Sequence, residues 1–111
     1  TVAEQEMVSE AQQAYNSTIE ALAEANNLAY VDVDQVLVEV SNGIGFDGGV
    51  LTSDFVTGGA FSLDGVHLTA RGYAYVANQA IMAINAQYGS TLPMVNIGNY
   101  GTVNLSDNIA Q

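Results

Sequence analysis

Apolar side chains recur at three- and four-residue spacing in two stretches of this chain of 111 residues. The first holds Val8, Ala11, Tyr15, Ile19 and Leu22, and predicts one face of an amphipathic helix over residues 2–26. Glu4, Glu6 and Glu10 fall in its first half, where they favour the positive end of the helix dipole. Asn26-Asn27 supplies a stop, because asparagine tolerates the left-handed conformation that ends helices. The second stretch holds Tyr73, Val76, Ala77, Ala80, Ile81, Ile84 and Tyr88. It predicts a helix with Thr69 as N-cap, Gly89 as C-cap, and a stripe that packs on a sheet.

Between the two stretches the pattern changes. Leu28–Val33 is short, mostly apolar and rich in strand formers, which predicts a buried strand of a parallel sheet. Asp34 offers an N-cap for a brief helix through about Val40, and Ser41-Asn42-Gly43 ends it. Residues 42–60 read as a glycine-punctuated loop with a small hairpin around Val50–Val56. The tail from Ser90 is polar apart from Leu92–Val95 and is expected across the surface or frayed. The order is helix, strand, short helix, loop, helix. One strand cannot make a sheet, and its hydrogen-bonding edges stay open. The expected fold class is therefore the last third of an open α/β domain, completed by a missing portion or by another copy of the chain.

Composition narrows the function classes. Hydrophobic residues make up 49%, enough for a packed core. Acidic residues number 12 against 1 basic, a formal net charge of -11. That balance argues against nucleic acid and anionic lipid surfaces as partners. No cysteine is present, which removes disulfides, thiolate metal sites and cysteine nucleophiles. No run approaches the roughly 18 apolar residues of a membrane span, so none is expected. No signal-peptide pattern is seen. Zero cysteines and an acidic surface are compatible with a secreted or extracytoplasmic location without fixing one.

The candidate chemistry lies in Phe61–Tyr73, which carries the only histidine, His67, and the only basic side chain, Arg71. Asp64 precedes His67 by three positions, with Gly65 marking a turn. A histidine moves protons near neutral pH, and a nearby carboxylate fixes its tautomer. The pair reads as an acid–base couple; the plainer reading is a turn residue beside a helix cap. The helix N-terminus just beyond could help to hold an anion. Arg71, the second residue of that helix, faces an unfavourable dipole, so a surface pair with an Asp or Glu is expected. The glycine-rich loop lacks the Lys and Ser/Thr of a P-loop, and Asp47 and Asp54 do not match calcium-loop spacing. No metal or organic cofactor is expected.

Asp64-Gly65-Val66-His67-Leu68-Thr69, followed by Gly72-Tyr73, resembles the C-terminal block of the SGNH, or GDSL, hydrolases. The helix, Leu28–Val33 with Asp34, and the variable loop are similar to the segment before that block, so the resemblance spans roughly residues 10–90. It implies the C-terminal part of a flavodoxin-like three-layer α/β/α fold over residues 1–89, with 90–111 as a tail. It implies carboxylic esters as substrates and a Ser-His-Asp triad in which His67 is the general base and Asp64 orients it. The Gly-Asp-Ser nucleophile block and the Gly-x-Asn-Asp block of that family do not occur here. Ser9, Ser17, Ser41, Ser53, Ser62, Ser90 and Ser106 have no matching context, and Ser62 reads as a turn residue. The chain is thus expected to be inactive alone. Its partner would be the missing N-terminal portion or another copy. Two rivals stand beside this reading. One is a non-enzymatic acidic module that pairs through open strand edges. The other is a metal-binding domain using Asp47, Asp54, Asp64 and His67.

Overall fold

Thr1 opens the first helix with a reciprocal cap. Its hydroxyl accepts from the Glu4 amide at 3.3 Å, and the Glu4 carboxylate accepts from the Thr1 amine at 2.6 Å. In the computed structural model, which describes residues 1–104, the elements are α1 (Val2–Ala25), α2 (Val33–Asn42), β1 (Ile44–Phe46), β2 (Gly49–Leu51) and α3 (Ala70–Tyr88), followed by a 3-10 turn at Ile97–Asn99. Residues 105–111 of the tail, with Ser106, lie outside the described residues. Asn27 ends α1 with φ at 53°, the left-handed stop that its sequence predicts. Gly89 does the same for α3 at φ 62°.

Leu28–Val33 is not a strand. Leu28–Asp32 runs without helix, turn or bend, and Val33 already belongs to α2. Apolar, β-branched side chains favour a strand only where a neighbouring strand accepts their backbone groups, and none lies alongside among the described residues. The N-cap of α2 is Asp32, whose side chain accepts from the Gln35 amide at 3.0 Å. Asp34 faces α1 instead, accepting from Gln12 Nε2 at 2.7 Å and Asn16 Nδ2 at 2.6 Å. The hairpin also lies earlier than the expected Val50–Val56. Ile44 pairs with Leu51, Gly45 with Val50 and Phe46 with Gly49, antiparallel. Gly48 at φ 118° makes the turn possible, in backbone space that side chains rarely enter. The chain is thus mixed α and β, with a two-stranded antiparallel sheet among the described residues in place of a parallel one.

The core gathers Val36 and Val40 of α2, Leu51 of β2, Ala60, Ala74 and Tyr75 of α3, and Ile97. Leu51 is fully buried, a burial that stabilises by about 1.5–3 kcal/mol. The buried face of α3 is Gly72, Ala74, Tyr75 and Asn78, while Tyr73 and Tyr88 of the expected stripe are exposed. The reason is the partner: α3 packs on the loop at Ala60 and on the tail, and shares the core with Leu51 of the hairpin. Asn78 is buried because its amide matches the tail backbone, donating to the Val95 carbonyl at 2.8 Å and accepting from the Val95 amide at 2.9 Å. Tyr75 donates to Glu39 at 2.8 Å, tying α3 to α2. Burial and that carboxylate push its phenol up to about 12.

α1 stands apart from this core. Ala23 is its only buried residue, and Tyr15 and Leu22 of its apolar stripe are 69% and 58% exposed. The radius of gyration is 17.0 Å, against about 13 Å for a compact domain of 100 residues. Among the described residues, no helix is long and apolar enough to cross a membrane.

Candidate active site

The loop that carries Asp64 and His67 is closed by its own backbone. Phe61 and Leu68 form an isolated antiparallel bridge, and the Ser62 amide donates to the His67 carbonyl at 2.8 Å. Inside this clamp the Gly65 amide donates to the Ser62 carbonyl at 3.0 Å, and Gly65 turns the chain at φ 71°. Asp64 fills the turn from within. Its Oδ1 accepts from Ser62 Oγ at 2.7 Å and from the Val66 and His67 amides, both at 2.9 Å. Its Oδ2 lies 2.6 Å from His67 Nδ1. The residues paired by their sequence spacing are therefore in direct contact.

These bonds set the electrostatics. The Val66 amide, then the His67 ring and the Ser62 hydroxyl, hold the Asp64 carboxyl well below the usual carboxylate range. An ionised carboxylate only accepts hydrogen bonds, so His67 Nδ1 carries the proton toward Asp64. In the neutral ring this leaves the lone pair on Nε2, the arrangement a general base requires. The side chains are 72% exposed at His67 and 51% at Asp64, so the pair sits on an open surface. The groove of about 760 Å³ that runs beside α1 is not lined by either residue.

Thr69 anchors the far end. Its hydroxyl donates to the Gly59 carbonyl at 2.6 Å and accepts from the Gly72 amide at 3.1 Å, which caps α3. Gly72 lies so close to the Ala60 carbonyl that a Cβ would collide with it. That contact seats α3 against the base of the loop. At this helix start, where the sequence suggests help in holding an anion, the Gly72 amide is taken by Thr69 and the Arg71 amide by the Gly101 carbonyl at 3.0 Å. Among the described residues, Arg71 also departs from expectation. Its Nε donates to the Tyr100 carbonyl at 3.0 Å, and its guanidinium stacks 4.8 Å from the Phe46 ring centroid. A carbonyl and an aromatic face hold it where a carboxylate was expected.

Ser62, expected as a turn residue, also completes the Asp64 cradle with its hydroxyl. The signal was present in the Ser-x-Asp spacing, which suits a hydroxyl that bonds a carboxylate two residues on. Among the described residues no serine hydroxyl hydrogen-bonds the His67 ring, which pairs with Asp64. Asp47, Asp54, Asp64 and His67 do not converge, and among the described residues no three acidic or histidine side chains gather as a metal cluster would. Comparison with family models, curated proteins and solved structures gave no match.

Proposed function

We propose that this chain supplies the Asp-His part of a serine ester hydrolase site, in the manner of the SGNH or GDSL enzymes, and that the nucleophile comes from a further segment. The observation that carries the proposal is the 2.6 Å contact between His67 Nδ1 and Asp64 Oδ2, which leaves Nε2 free. In this reading, His67 Nε2 takes the proton of an incoming serine hydroxyl as the oxygen attacks the ester carbonyl. The imidazolium, steadied by Asp64, returns that proton to the leaving alcohol. Water then repeats the sequence on the acyl-serine and releases the acid. The flavodoxin-like α/β/α architecture belongs to this proposal, with the further segment supplying the sheet.

The experiment is complementation. The chain is mixed with a segment bearing a Gly-Asp-Ser nucleophile block, and p-nitrophenyl ester hydrolysis is followed. The chain alone should be inactive, the mixture active, and His67→Ala should abolish the activity. A complex that hydrolyses equally well with His67→Ala would overturn the assignment.

A further inference from the structure

A groove of about 760 Å³ runs between the C-terminal half of α1 and the segment leading into α2. Its apolar walls include Ile19, Leu22, Leu28 and Val33, each more than half exposed. The backbone along it is open as well. Leu28–Asp32 has no turn or bend, and Asp32 is extended at φ −77°, ψ 96°. Among the described residues, the amides of Tyr30, Val31 and Asp32 meet no acceptor, while that of Ala29 donates to the Tyr88 hydroxyl at 3.1 Å. Unpaired amides beside apolar walls are what an added strand satisfies: main-chain bonds give affinity, and alternate side chains fill the groove.

The rim selects the charge of the occupant. Asp34 lines the groove itself, and Asp32 and Glu20 line the surfaces that adjoin Tyr30. Glu24 stands with Glu20 on the adjoining surface. The only basic side chain of the sequence, Arg71, is held elsewhere, by Tyr100 and Phe46. A second copy would bring the same acidic rim, and a net charge of -11, against itself.

We infer that this groove takes an extended apolar segment flanked by lysine or arginine, added as a strand along Tyr30–Asp32. The inference goes beyond the acyl-transfer reading and stands whether or not the docked segment carries a nucleophile. Its test is a binding measurement, so it fails separately from the esterase assay. The full chain, labelled with ¹⁵N, is titrated with two capped peptides of alternating valine and threonine, one flanked by lysines and the other by glutamates. Successive amides of a strand point to opposite edges, so the lysine peptide should slow exchange by roughly tenfold or more at alternate positions, at Tyr30 and Asp32 or at Val31, while the glutamate peptide should not. The preference should shrink in about 1 M salt, where screening acts within about 3 Å. Glu20→Gln with Glu24→Gln should reduce it without touching the fold. Equal binding of both peptides, or no protection at millimolar peptide, overturns the inference. Protection that rises with chain concentration alone also overturns it, by making a second copy the occupant.

Discussion

A carboxylate that takes three donors on one oxygen and a histidine ring on the other resists protonation, and Asp64 is so placed. Its folded pKa lies below the ordinary 3.8, so its contribution to stability is complete above that value and fades as pH falls through and below it. Denaturant melts of the wild type and Asp64→Asn should therefore differ by a constant amount above about pH 5 and draw together progressively as pH falls below about 4. A difference that stays constant to the lowest pH would mean that Asp64 acts by shape alone. Gly72 makes a steric prediction. A methyl there meets the Ala60 carbonyl and the Leu68 side chain, so Gly72→Ala should lower stability by about 1–3 kcal/mol in urea melts with an unchanged m-value. At this scale the sequence was informative. A three-residue spacing across a glycine turn is a local relation, and local relations survive whatever the rest of the molecule does. The Arg71 partner was not legible, because Tyr100 and Phe46 lie far along the chain in opposite directions.

Helices α1 and α3 have similar periodicity and very different support. α3 buries four residues and is tied to the tail, while α1 buries one and is held by the Asp34 carboxylate. Hydrogen exchange should accordingly run faster along α1 than along α3. Asp34→Ala should accelerate α1 further, by about 1–3 kcal/mol of local opening free energy, and leave α3 unchanged. Equal protection of the two helices would contradict this division. The same contrast shows why helices were legible and the strand was not. A helix satisfies its backbone within its own residues, so its periodicity suffices to locate it. A strand at Leu28–Val33 depends on neighbours that the described chain does not provide. The stripe of α3 was misread for a related reason. Its apolar period was clear, but which face is buried follows from Ala60 and the tail, and a buried asparagine on that face defeats a hydrophobicity count.

The whole molecule rests on a thin core that joins α2, the hairpin, α3 and Ile97. Leu51 is its most buried large side chain, and Leu51→Ala should cost about 2–5 kcal/mol, enough to unfold a large share of a marginally stable domain. Thermal melts by circular dichroism would measure the loss, and a loss under about 1 kcal/mol would mean the core is not the seat of stability. Mixed α and β content was readable from the sequence; the size of the sheet was not, since strand pairing is a property of the assembled chain. The placement of Arg71 has a practical consequence. With no lysine and a single arginine, these 111 residues offer trypsin one bond, between Arg71 and Gly72. That bond lies in the first turn of α3, where the Gly72 amide is bonded to Thr69 and the Arg71 side chain is pinned between Tyr100 and Phe46. A protease needs extended, accessible backbone, so cleavage requires this turn to open, next door to His67. Limited trypsinolysis is then a single-site clock for one conformational event. Any ligand that settles on the Asp64–His67 loop will be visible as a slower appearance of just two fragments.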